Sequence, residues 1–276
     1  MKRILLVTGM LLLLSGVGNS ATAKAPQPQP APVIDVGMTH AVSAYTVAEA
    51  SASHMMRPLN DARTVLYEQS YGGGGVGLGL LLGPLGVAAN VAAIKSRTEK
   101  EAAELYGKLA IDPQALLASA LANTDLKVVT AADDPHAALL KPLLDVVSMG
   151  DQTLRFGAVL HVDHNPAGKN WVGHYLWQLP TVYPRAAVVQ GLSDADRQAL
   201  EQQATVAFGE LVQLYMKDAA GALTNGATVG FHAPFMAPRF GFRYVANVVA
   251  GPQDRLTARM PTMLVSFPKD LITLDK

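Results

Sequence analysis

The chain contains no cysteine, which excludes disulfides, a thiol nucleophile and lipid attachment at a processed cysteine. Aromatic residues are only 6% and charged residues 16% of it, so any core must be built mainly from leucine, valine and alanine. Neither sign of charge is in excess, with 22 basic and 22 acidic side chains. That balance argues against nucleic acid as a partner, because neutralising phosphates needs a basic surface. Two motifs are missing as well. No G-x-S-x-G nucleophile elbow occurs, and no Lys-Ser/Thr pair closes a glycine-rich loop, so neither a hydrolase of that type nor a P-loop is encoded.

What is present begins at the N-terminus. Lys2 and Arg3 precede the apolar run "ILLVTGMLLLLSGVG", and Ala21-Thr22-Ala23 forms a small-x-small cleavage site. Residues 1–23 therefore read as a secretory signal peptide. Its removal takes away two basic residues and leaves a mature net charge of −2. Export without cysteine indicates a bacterial envelope protein, in the periplasm and in reach of the outer membrane, whose core holds without staples. Residues 24–35 open with "KAPQPQPAPV", an extended proline-rich linker. The roughly 250 residues left after cleavage suffice for one large domain or two modest ones.

The rest divides into an N-terminal segment (36–71), a glycine-rich apolar segment (72–95), an α/β core (96–226) and a C-terminal β section (227–276). "TVLYEQSY" (64–71) reads as a strand with Val65, Tyr67 and Gln69 on one face. A helix is expected over 96–110, and a second starts at Asp112-Pro113, with the aspartate as N-cap. "LKVVTA" (126–131) reads as a short strand. A third helix is expected from Asp134-Pro135, limited by Pro142; Asp133-Asp134 is then a cap rather than a catalytic carboxylate pair. Residues 154–163 and 171–178 form a hairpin joined by "HNPAGKN". The strongest helix runs from "LSDADRQ" to "GAL", capped by Ser193 with Asp196 and carrying Leu200, Ala204, Ala207, Leu211 and Leu214 on one face. "FGFRYVANVVA" and "RLTARMPTMLVSF" flank the turn signal "GPQD" as a second hairpin. This order of elements implies an α+β fold with a mixed or antiparallel sheet and flanking helices.

The least ordinary stretch is "YGGGGVGLGLLLGPLGVAANVAAIKSR", residues 71–97. Gly72, Gly74 and Gly77 match a dinucleotide fingerprint. That site needs a helix directly behind the loop and an acid at the end of a second strand. Gly79, Gly83, Pro84 and Gly86 interrupt such a helix, and the acids at a suitable distance, Glu99 and Glu101, fall within an expected helix. Two readings remain: a buried core segment, or a segment that packs on copies of itself or contacts a membrane. From Val76 to Ile94 the chain carries no charge, and as a helix this stretch would extend roughly 28 Å, near the hydrocarbon thickness. Gly75, Gly79 and Gly83 recur every four residues as a smooth ridge. Tyr67 and Tyr71 precede it, and Lys95 and Arg97 follow it, as interfacial anchors. Its strongly apolar residues would contribute about −3 to −5 kcal/mol on an insertion scale, opposed by the glycines, Pro84 and Asn90. A lone helix is therefore marginal, and packing against copies has to supply the remainder.

"GGGGVGLGLLLGPLGVAANVAAI" within an exported chain resembles glycine-zipper envelope proteins such as the TraT complement-resistance family. That resemblance implies an outer-membrane oligomer with a small-residue hydrophobic insertion. The order of helix, strand, hairpin and long helix over 112–219 resembles the α/β domains of CsgG-like secretion and lipoprotein accessory proteins. The chain departs from both in lacking the lipidated cysteine common among them, and no functional residue transfers by motif.

Polar chemistry concentrates in "HVDHNPAGKNWVGH", which holds His161, Asp163, His164 and His174. The spacing invites comparison with zinc sites. Strand alternation places His161 and Asp163 on one face and His164 on the other, which opposes a common ion. Trp171, Tyr175 and Trp177 share a face and read as core. No catalytic residue and no cofactor is expected. The expectation is a non-enzymatic envelope protein that self-associates, binds another envelope protein or contacts a membrane through residues 72–95. The alternative is a soluble periplasmic enzyme or ligand-binding protein that uses the His161–His174 hairpin.

Overall fold

A computed structural model describes residues 38–44, 56–69, 83–130, 133–134, 136–150, 152–164, 171–236 and 242–275. The signal peptide, the proline-rich linker and residues 70–82 lie outside the described residues, as do the side chains of 83–91.

Three long antiparallel strands carry the fold: β4 (Ala138–Met149), β5 (Thr153–His164) and β6 (Trp171–Pro184). Leucine, valine and phenylalanine on alternate residues bury one face of each strand, as the period of two requires. One edge of β4 is shared by two strands in succession. β1 (His40–Val42) runs parallel to residues 138–140, and β3 (Val65–Glu68) runs parallel to residues 144–147. Pro142 falls in the gap between them. Along that edge Ser43 N donates to Leu140 O and Leu144 N donates to Thr64 O, so the nitrogen of Pro142 faces the stretch between them, where no described strand asks for a donor. A proline is thereby admitted inside a central strand. β2 (Met56–Pro58) completes this side, antiparallel to β3.

Beyond β6 the sheet continues through β10 (Leu264–Pro268), which joins it in parallel. Then follow β9 (Arg255–Arg259), β8 (Arg243–Val248), β7 (Thr228–His232) and β11 (Thr273–Leu274), each antiparallel to its neighbour. The result is one mixed eleven-stranded sheet in the order β11-β7-β8-β9-β10-β6-β5-β4-β3-β2, with β1 beside β3 on β4. Four helices flank it among the described residues: α1 (Gly83–Leu105), α2 (Pro113–Leu121), α3 (Arg185–Gln190) and α4 (Asp194–Ala219). The fold is α+β.

Leu200, Ala204, Ala207, Leu211 and Leu214 of α4 are all buried against one sheet face, together with Leu117 and Leu121 of α2 and Phe156, Leu160, Tyr175 and Trp177 of the strands. A second core lies on the opposite face, where Phe231, Phe235, Phe267, Leu256 and Val265 gather with Val147 of β4. Val147 is separated from β10 by two strands, so the C-terminal strands curl over this face.

The caps are as expected: Asp112 accepts from Gln114 N at 2.9 Å and Ser193 Oγ accepts from Asp196 N at 3.1 Å. Four expectations are corrected. The helix expected from Asp134 is the strand β4; Asp134 accepts from His136 N and from Thr39 Oγ1 and caps only a turn. Leu140, Leu144 and Val146 face one core and Val147 the other, and a strand buried on both sides has the unbroken apolar character of a helix. Of the strand expected over 126–131, the described residues 126–130 make a single bridge, Val128 to His40, instead of a strand. The hairpin across "GPQD" is present as the antiparallel pair of β8 and β9, but "RLTARMPTMLVSF" is not a single strand: it is itself the β9–β10 hairpin, turning where Met260 N donates to Met263 O. Finally, the helix expected over 96–110 begins at Gly83 and ends at Leu105. Pro84 is tolerated because it lies in the first turn, where its missing N–H is no loss. Gly107, at φ 70°, turns the chain after the last helical residue.

Candidate functional site

Cross-strand register assembles a polar row on the sheet face away from the helices. Lys141 of β4 is opposite His161 of β5, which is opposite His174 of β6, with Asp163 one pleat further along β5. The four side chains form a continuous relay. Lys141 Nζ bonds Asp163 Oδ2, Asp163 Oδ1 lies 2.9 Å from His161 Nε2, and His161 Nδ1 lies 3.0 Å from His174 Nδ1. The two imidazoles meet edge to face, with centroids 4.5 Å apart. Lys141 and His161 are buried, while the Asp163 side chain keeps 30% of its surface exposed. The carboxylate can only accept, so His161 Nε2 carries the hydrogen of that contact, and one of the two facing Nδ1 atoms carries the hydrogen between the rings. Gly173 makes room behind the row: a Cβ there would lie 2.7 Å from the Trp171 and Tyr175 rings.

His164 is on the helix side, as alternation dictates. It is buried, its Nδ1 has no hydrogen-bond partner, and burial holds its pKa below the ordinary histidine value. His164 belongs to a core row in which β1 places His40 beside Ala138, and β6 places Trp171 beside His164. His40 is likewise buried, with Nε2 3.0 Å from Tyr215 OH, and burial lowers its pKa too. Tyr215 stacks on Trp171 at 6.2 Å. Tyr175 and Trp177 are core residues, as expected. Among the described residues, no three histidines, aspartates or glutamates come together as a metal-ligand set.

Sequence reasoning passed over a second polar cluster. Asp218, in the last turn of α4, accepts from Arg259 Nη2 at 2.5 Å and from Tyr175 OH at 2.9 Å, and Arg259 Nε donates to Asn225 Oδ1 at 3.1 Å. The available signal was an acid at a helix C-terminus, where the macrodipole disfavours it. Nearby, the Arg255 guanidinium stacks 3.9 Å from the Trp177 ring centroid and donates to Ser266 and to the Gln178 carbonyl. Burial lowers its pKa to about 10. Both arginines tie β9 into the helix-side core.

Of the residues expected to mediate membrane contact or self-association, Tyr71, Gly75 and Gly79 lie outside the described residues. Gly83 is the first residue of α1. Lys95 and Arg97 lie further along that helix, with Lys95 Nζ 4.0 Å from Glu99 and Arg97 Nε 2.9 Å from Glu101. Tyr67 is no interfacial anchor: it is fully buried, and its hydroxyl donates to Glu101 at 2.5 Å. The charged half of α1 is fixed to the sheet at several points. Arg185 reaches Glu101 at 3.5 Å and Glu104 at 2.9 Å, Arg57 reaches Glu99 at 3.1 Å, and Thr98 Oγ1 donates to Gln69 at 3.2 Å. Towards the apolar half, Ala92 and Ala93 are exposed. No described helix is long and apolar enough to cross a membrane.

No family model, curated protein or solved structure matches this chain.

Proposed function

We propose that this is an exported bacterial envelope protein, without enzymatic activity, that self-associates through residues 72–95. The observation that carries the reading is the division of labour within α1. Its charged half, from Lys95 onward, is held to β2, β3 and α3 by ion pairs and hydrogen bonds. Its preceding half consists of small and apolar residues and leaves Ala92 and Ala93 exposed. A rigidly held helix thus hands over to a glycine-rich sequence whose four-residue spacing suits close helix contact and whose hydrophobicity is too weak for a stable lone span. The signal peptide and proline-rich linker support export and distance from whatever precedes the folded part. The occupant of the glycine ridge is a second copy of the same segment, and lipid contact follows from assembly.

The test compares the mature protein with Gly75→Leu/Gly79→Leu and with a deletion of residues 72–82. Sizing with light scattering, in buffer and in mild detergent, should give an oligomer for the parent and a monomer for both variants. A parent that is soluble and monomeric under every condition overturns the reading.

A further inference from the structure

His40 and His164 flank the small side chain of Ala138 at one end of the sheet. His40 pairs with Ala138 from β1, and the register that sets Leu139 opposite Asp163 brings Ala138 beside His164. We propose that these two imidazoles are an acid-operated latch, holding β1 on β4 while both are neutral and releasing it when they take up protons.

Both histidines are almost fully buried, and both Nδ1 atoms are shut from solvent without a hydrogen-bond partner. His40 Nε2 is engaged by Tyr215 OH at 3.0 Å. A charged imidazole carries a hydrogen on both nitrogens, so neither ring can ionise in place without leaving a buried donor unmet. Burial accordingly lowers both pKa values. His164 lowers that of His40 further, and the carbonyls of Lys127 and Met38 oppose this without reversing it. The other titratable groups facing the row are Tyr215 of α4 and Tyr175 of β6, whose hydroxyl is bonded to Asp218, itself paired with Arg259. Among the described residues neither ring has a carboxylate partner. Asp134 accepts from Thr39 Oγ1, next to His40; that bond holds its carboxyl below the ordinary carboxylate range, outside the histidine window. His161, His174, Asp163 and Lys141 belong to the opposite face of the sheet.

The element that gives way is β1. It is three residues long, and Ser43 N donates to Leu140 O, Ala138 N to Thr39 O and Val129 N to His40 O. Swinging it away hydrates both rings and bares residues 138–140 of β4 as a strand edge. In the opened state both histidines return to the ordinary value of about 6.5. Closure is therefore fully favoured above that value. It weakens as pH falls from there towards the depressed values, by up to about tenfold per pH unit for each histidine. The latch stands apart from self-association, because α1 is tied to β2, β3 and α3.

The test is hydrogen exchange of the mature protein, read by mass spectrometry from about pH 7.5 to about pH 5 and corrected for intrinsic rates. It follows peptides spanning 38–44 and 126–130. Their protection should fall below about pH 6.5 by up to roughly a hundredfold per pH unit, while a peptide spanning 144–147, paired with β3, stays unchanged. His40→Gln and His164→Gln should each halve the logarithmic slope, and the double variant should abolish it. His232→Ala, at an exposed position of β7, should keep the parent slope. Circular dichroism at neutral pH establishes that each variant is folded, and either single variant alone gives a decisive slope. Protection at 38–44 that is independent of pH, a fall shared equally by 144–147, or an unchanged slope in a folded single variant overturns the proposal.

Discussion

Asp218 and Arg259 form an ion pair at 2.5 Å in which both side chains are almost completely buried, joining the end of α4 to β9. Breaking a buried pair strands a charge, which is costly, whereas replacing both partners by apolar groups is often neutral. Asp218→Ala or Arg259→Ala should therefore each destabilise the fold by about 3–5 kcal/mol. Asp218→Leu/Arg259→Met should recover much of that loss. Urea unfolding midpoints at constant slope measure the difference, and a double variant no better than the singles would contradict it.

Stability should fall on the acid side because of His40. Burial holds its pKa below the ordinary value of about 6.5, so the folded state binds its proton less readily than the unfolded state. The contribution is fully present above that ordinary value and is lost as pH drops through it towards the depressed one. His40→Gln should flatten the decline of the thermal midpoint below about pH 6.5.

On the alkaline side the governing group is Asp145. Burial first, and the negative charge of Glu68 second, raise its pKa to about 8, and its Oδ1 has no hydrogen-bond partner. Here the folded state holds the proton more tightly. Its contribution is fully present below the ordinary carboxylate pKa and lost as pH rises from about 4 through 8. Asp145→Asn should remove that slope, so that at pH 9 the variant is more stable than the parent. Equal pH profiles would show that the carboxyl is already ionised.

Pro142→Val should destabilise, although valine is the better strand former. It places an N–H in the gap between β1 and β3, where no described strand offers an acceptor, and an orphaned buried donor costs about 1–3 kcal/mol. Removing the ring also frees the unfolded chain. A variant at least as stable as the parent would show that the gap accommodates a donor.

Gly230 lies beneath the ion pair that Arg243 of β8 makes with Asp275, after β11, at 2.6 Å. A Cβ there would approach Asp275 Oδ2 to 1.8 Å and Arg243 Nη2 to 2.4 Å. Both atoms end flexible, partly exposed side chains, so Gly230→Ala should cost less than about 1 kcal/mol globally. Its local effect should be larger. Hydrogen exchange at the Asp275 amide, which donates to Gly230 O at 2.9 Å, should accelerate while core amides stay unchanged.

Much of this architecture was legible where a local rule applied on its own. The caps at Asp112 and Ser193, the buried stripe of α4 and the β5–β6 hairpin each depend on residues close in sequence. What was not legible depends on partners far away. Pro142 reads as a helix limit unless one knows that β1 and β3 leave a gap beside it. Arg255, Thr257 and Arg259 are turned inward by Trp177, Ser266 and Asp218, partners that nothing local in β9 announces. In the site, alternation correctly separated His164 from His161 and Asp163. Lys141 escaped notice because its place beside Asp163 is set by the register of β4, a strand read as helix.

The parallel pairing of β10 with β6 also sets the order in which the sheet can be finished. Leu264 meets Tyr175 across roughly ninety residues of intervening chain, and β10 is the strand that unites the β2–β6 side with the β7–β9 side. Until it docks, β6 and β9 each present an open hydrogen-bonding edge, and such edges invite pairing with other chains. Closing so long a loop is slow by its entropy. The half-joined sheet is therefore the species most exposed to aggregation during folding, and the speed of β10 docking limits how long that exposure lasts.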